Sequence, residues 1–401
     1  MCLGRDEVEE LDDQQREVNE LSFDQTWIVY GPAGTGKTIL ALNRLQRLVE
    51  LYKDETHVFI SKSKMLGRWV EQAAEAIGVG NHINTFDQFV WNKVREYLGD
   101  EPDKTEPSAR WSEIDWDKTL PRLRIAFNKK PDLEKFSLVL DEAQDVRPGF
   151  FEACKIMCSR IFILMDENQK TSTFANTDRS TIATILGVDS EHQKLLTINY
   201  RNPKEIKQLS ETFYLGDPNE LAAHPEDPKK LRRLEAQPAI RYLPLVADGQ
   251  KESQVQRVLD YCLERPQATV CVAVPTSEAN NYEKLVLDLI RQKLENYEEL
   301  QSRDDWFTRA YIAKAFERCR TDLCSPGIVI GSAINLKGSE FDAVYLINWD
   351  VANEPSPSMY TLICRARSRL EVLATDSDAS RTSLRQLFKV AIGRGLIKEA
   401  N

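Results

Sequence analysis

Residues 31–38 read GPAGTGKT and fit the pattern GxxxxGK[ST]. Each position has a task in holding phosphate. Gly31, Gly34 and Gly36 let backbone N–H groups converge on phosphate oxygens, and Pro32, Ala33 and Thr35 complete the loop. Lys37 supplies positive charge to the β and γ phosphates, and Thr38 supplies a hydroxyl to Mg²⁺. The bland alternative is a glycine-rich turn that binds nothing. The apolar run IVY before the loop and the helical pattern ILALNRL after it argue for the phosphate site, because a helix N-terminus adds a favourable dipole there.

Further along, LVLDEAQD (138–145) delivers two adjacent acids at the carboxyl end of an apolar strand. Asp141 suits the Mg²⁺ shell. Glu142, beside it, suits a general base that orients and deprotonates an attacking water. An ordinary acidic strand end is the structural alternative. A glutamate next to the metal aspartate favours hydrolysis of a nucleoside triphosphate over transfer to a small molecule, which weakens a kinase reading.

The elements that must position these residues are legible as two series of short apolar runs. TWIVY (26–30), HVFI (57–60), FSLVLD (136–141), RIFILMD (160–166) and KLLTI (194–198) form the first. AIRYLPLV (239–246), TVCVAVP (269–275), GIVIGSA (327–333), AVYLIN (343–348) and LEVLAT (370–375) form the second. Continuous apolar strands alternating with helical patterns predict parallel sheets covered on both faces. The fold class is therefore α/β with two domains, set at 1–200 and 201–401. Two segments break the rhythm, 99–132, rich in Pro, Trp and charge, and the charged helical stretch 281–325.

The chain has 401 residues, of which 42% are hydrophobic and 29% charged, as expected of a globular protein with two cores. No run of 18 or more apolar residues predicts a membrane span. The first residues, MCLGRDEVEELDDQQ, are acidic without an apolar core and do not read as a secretory signal, so a cytoplasmic location is expected. Eight scattered cysteines without a Cys/His cluster predict reduced thiols rather than a metal site. The net charge of −10 argues mildly against a surface that grips nucleic acid everywhere, but leaves room for a narrow basic channel.

DEAQD also carries a family likeness. It resembles the UvrD/Rep-like helicases of superfamily 1, and other stretches follow in that family's order: LDDQQREV (11–18), FISKSKMLGRWV (59–70), INTFDQFV (83–90), LMDENQKTSTF (164–174), LTINYRN (196–202), INLKGSEFDAV (334–344) and YTLICRARSRL (360–370). The resemblance covers nearly the whole chain. It implies two RecA-like domains with ATP and Mg²⁺ in a cleft between them and one nucleic-acid strand across both. Gln15 would read the adenine edge, and Tyr200 would stack on the base. Gln169 would sense the γ-phosphate. Arg201 and Arg365 would reach that phosphate as arginine fingers. Glu340, after Lys337 and Gly338, would face the ribose. The two large insertions of the family would be reduced here to about 91–131 and 286–324.

Several strand-facing positions depart from the family pattern. Ser172 replaces an aromatic, Asp87 and Ile334 stand where the family has histidines, and Ser332 and Cys364 replace threonines. Trp111 and Trp116, near Arg110, Arg122, Arg124, Lys129 and Lys130, read either as a strand-stacking patch or as anchors of a small insertion. Two functions follow from the resemblance. The first is an ATP-dependent single-strand DNA translocase (RNA remaining open) working with a protein partner such as a nuclease. The second is an ATP-driven switch inside a nuclease or phage-defence assembly, with little unwinding of its own.

Overall fold

The computed structural model describes residues 11–61, 64–106, 113–169, 176–221, 223, 238–243, 250–275, 279–295, 310–313, 326–347 and 356–400. The chain divides into two compact units. One combines Cys2–Pro32 with Gly36–Thr197, and the other combines Ala33–Thr35 with Ile198–Asn401. Each is an α/β unit on a parallel sheet, the architecture of RecA-like P-loop domains.

In the N-terminal unit the strands are β1 (Trp27–Tyr30), β2 (Thr56–Ser61), β3 (Ile83–Thr85), β4 (Phe136–Asp141), β5 (Cys158–Met165) and β6 (Gln193–Leu195). They pair in the order β3-β2-β4-β5-β1-β6, every pair parallel. Alternation along each strand explains why the runs are apolar throughout. Ile28, Leu138, Leu140 and Ile163 enter a core with Phe150 and Met157, whereas Val29, Val139, Phe162 and Leu164 enter another with Leu40 and Leu45. Truncating a residue such as Leu140 to alanine would cost about 2–5 kcal/mol.

The C-terminal unit holds β7 (Ala239–Leu243), β8 (Thr269–Ala273), β9 (Ala310–Ile312), β10 (Gly327–Gly331), β11 (Phe341–Ile347), β12 (Ala366–Thr375) and β13 (Lys398–Ala400). Their order is β13-β7-β12-β11-β8-β10-β9, again with parallel pairs. Helices Gln250–Glu264 and Ala279–Leu294 cover one face through Val255, Leu259, Val286 and Ile290, which pack on Val270, Val272, Ile328 and Tyr345.

The segment 99–132 contains a helix, Trp116–Lys129, capped by the Asp115 side chain, which accepts from Lys118 N. Leu123 is fully buried, and the Trp116 ring sits 6.0 Å from that of Phe150. Trp116 is thus a core anchor of this segment. Arg110, Trp111, Ser172 and Phe174 lie outside the described residues, as does most of 286–324. Among the described residues no helix is long and apolar enough to cross a membrane. Cys154, Cys158, Cys262, Cys271 and Cys364 are buried free thiols.

Candidate nucleotide site

Three neighbouring strands, β4, β5 and β1, end at the same edge of the N-terminal sheet, where parallel α/β sheets place their ligands. β1 runs into the loop 31–36 and then the helix Lys37–Leu51. Gly36 has φ 85°, and a side chain there would collide with the Gln15 amide, so only glycine serves. Gln15 is fixed from the other side by a reciprocal cap. Its N–H donates to Asp12 Oδ1 at 2.8 Å, and Asp12 N–H donates to Gln15 Oε1 at 3.2 Å. Gln15 therefore lies against the phosphate loop.

Lys37 is buried, and its ammonium donates to Gly31 O at 2.7 Å and Pro32 O at 2.8 Å. The Thr38 hydroxyl donates to Asp141 Oδ2 at 2.7 Å, and Glu142 N–H donates to Asp141 Oδ1 at 2.9 Å. Burial, reinforced by the Glu142 charge, pushes the Asp141 carboxyl up to about 6, against the pull of Thr38 and Lys37. The carboxylate is short of compensating positive charge. A small divalent cation fits that need, with Thr38 and Asp141 as hard oxygen donors. Among the described residues there is no group of three or more His, Cys, Asp or Glu side chains able to hold a metal. Mg²⁺ takes one or two protein oxygens and completes its shell with water and phosphate, so Thr38 and Asp141 would be donors enough.

Glu142 follows at the end of β4 with φ 57°, the single non-glycine residue at positive φ among those described. Such backbone strain persists where the surroundings over-determine it, and it gathers at functional sites. β5 ends at Met165 and leads into Asp166 and the turn Glu167–Gln169. Gln169 Nε2 donates to Asp166 Oδ2 at 2.6 Å, and Asn168 N–H donates to Oδ1 at 3.0 Å. Burial holds the Asp166 carboxyl above its usual range, partly offset by the Lys37 charge and by these two bonds.

The C-terminal unit carries the remaining predicted residues together with loop residues Ala33, Gly34 and Thr35. Tyr200 N–H donates to Gly34 O at 2.9 Å, and Ala33 N–H donates to Tyr360 Oη at 3.1 Å. Gly34 has φ 83°, and a side chain on it would strike Asn199. Asn199 Oδ1 accepts from Arg201 N–H and Asn202 N–H, each at 3.0 Å. Glu340, two residues after Gly338, which has φ 85°, is shared by two arginines. Arg201 pairs with one carboxylate oxygen and Arg367 with the other, the latter at 2.8 Å. Arg365 is placed differently. It is 1% exposed, and its guanidinium donates to Thr361 O at 3.0 Å and Ser339 O at 3.1 Å. Within this unit, then, Arg201 and Glu340 are brought together, and Arg365 turns into its own backbone.

Sequence reasoning passed over Gln144, Tyr360 and Arg367. Gln144 and Arg367 stand inside motifs already quoted, DEAQD and RARSR, but spacing alone carries no sign of which buried partner each side chain meets.

A phosphate loop, a buried aspartate hydrogen-bonded to its threonine and a neighbouring glutamate on a RecA-like sheet define a P-loop NTPase domain. Residues 14–175 match the family described as an AAA domain, a P-loop NTPase domain of a kind found in UvrD/Rep-like helicases. No curated protein matches the sequence. The match supports nucleotide binding and ATP hydrolysis of the helicase-type P-loop ATPases in general.

Proposed function

We propose that the protein is an ATP-dependent single-strand DNA translocase of the UvrD/Rep type that works with a protein partner. The observation that carries the ATPase chemistry is the Thr38–Asp141 bond with Glu142 next in the chain. Thr38 and Asp141 would hold Mg²⁺, which supplies charge to the phosphates. Glu142 takes a proton from water as its oxygen attacks the γ-phosphorus, ADP leaves, and the proton passes to solvent. Lys37 gives up its two loop carbonyls to phosphate oxygens. The order of the motifs along both units supports a motor, since ATP held by two domains couples hydrolysis to their relative movement.

A specific observation favours the switch as second reading. Ile334 is 40% exposed and Asp87 is exposed, at positions where the resemblance implies strand-facing histidines. Neither suits a phosphate backbone. The test is the steady-state ATPase rate alone and with single-stranded DNA, single-stranded RNA or duplex. Stimulation of at least about tenfold by single strands supports the motor. Indifference to all three overturns it in favour of the switch.

A further inference from the structure

We infer that Gln144 is a positioning residue that holds the Glu142 carboxylate and ties it to the turn bearing Gln169. This rests on the reading of Glu142 as the base of ATP hydrolysis. Gln144 is 0% exposed, and a buried amide must satisfy both its donor and its acceptor ends. It does so with two parts of the site. Its Nε2 donates to Glu142 Oε2, and its Oε1 accepts from Asp166 N–H at 3.1 Å. Its backbone carbonyl accepts from Thr177 N–H at 3.0 Å, so it also fixes the chain where it returns after Gln169.

One planar amide thus spans from the end of β4 to the end of β5. The Glu142 backbone is held at φ 57° by the short turn that follows, in which Asp145 N–H donates to Glu142 O at 3.1 Å. That turn orients the backbone, and Gln144 orients the carboxylate. On the other side, Asp166 receives the Gln169 amide at 2.6 Å. A shift of the Gln169 turn on loss of the γ-phosphate would therefore act on the atom that holds the base. Misplacing a reacting group by about an ångström is enough to slow chemistry a hundredfold, so an anchor at this atom acts on turnover rather than on binding.

A packing role alone would appear as lost stability and lost nucleotide affinity together. Two variants separate the cases. Gln144→Glu keeps an acceptor for Asp166 N–H but removes the donor to Glu142. Gln144→Met keeps the length and removes both. ATP turnover at saturating Mg²⁺-ATP, KM, the dissociation constant of a fluorescent ATP analogue and the melting temperature would be measured for each. The expected result for Gln144→Glu is a fall in kcat of at least about tenfold, with KM and analogue affinity within about threefold of the parent. If Gln144→Met fails to fold, Gln144→Glu decides alone. A kcat within twofold of the parent overturns the inference, and so does a parallel loss of kcat and nucleotide affinity. A parent that binds the analogue but never hydrolyses ATP would instead overturn the reading of the site itself.

Discussion

The Thr38 hydroxyl and the Asp141 carboxylate, 103 residues apart in the chain, meet at 2.7 Å. β1 and β4 lie on either side of β5, so the phosphate helix and the acidic strand end converge on one point. Thr38→Val would remove the hydroxyl while keeping the shape. ATP affinity in the presence of Mg²⁺ should fall at least about tenfold, with affinity in EDTA little changed, because only the cation-dependent part of binding is touched. Titration calorimetry in the two buffers checks this. An equal loss in both would assign Thr38 to packing.

Arg365 and Arg201 should separate by readout. Arg365→Ala withdraws a buried guanidinium from Thr361 O and Ser339 O, a loss of about 2–4 kcal/mol of stability. Arg201 shares Glu340 with Arg367, so its removal leaves the carboxylate a cationic partner. Arg201→Ala should melt near the parent and turn over ATP at least about tenfold more slowly. Chemical denaturation and ATPase assays on both variants check the split.

Glu371, on β12, faces Arg241, Arg257 and Arg369. Burial works against its charge, but the arginines prevail and hold its carboxyl below the ordinary 4.5. A carboxyl whose folded value lies below its unfolded value contributes stability above about pH 4.5 and loses it as pH falls through the folded value. Glu371→Gln should therefore cost about 2 kcal/mol near neutral pH, and the difference from the parent should vanish in acid. Urea midpoints across that range would reveal it. A difference independent of pH would contradict the ionic account.

If the motor reading holds, single-stranded DNA should bind weakly, without sequence preference, and with affinity falling as salt rises through counterion release. Fluorescence anisotropy across a salt series measures it. Binding indifferent to salt, or none at low salt, would favour the partner-driven switch.

Much of this architecture was legible in the sequence, and the gaps have physical causes. FSLVLD matches β4 residue for residue, because a strand apolar on both faces has abrupt ends. β3, β9 and β13, of three residues each, are too short to show a period. KLLTI overshot β6, since the ladder stops at Leu195 while the apolar pattern continues. Pro, Trp and charge set 99–132 apart in the sequence, and its Pro121 lies inside the helix Trp116–Lys129, which buries Leu123. At the site, the approach of Thr38 to Asp141 follows from spacing to strand ends, which is local. The partners of Gln144 and Arg365 do not, because each depends on a distant strand or carbonyl.

The central claim is that Glu142 is the base of an ATPase. Steady-state ATP turnover of Glu142→Gln beside the parent, with ATP binding measured on the same samples, tests it most directly. The account predicts that the variant binds ATP as well as the parent and hydrolyses it at least about a hundredfold more slowly, since a carboxamide cannot take the proton from water. A Glu142→Gln protein that turns over ATP at the parental rate would contradict it.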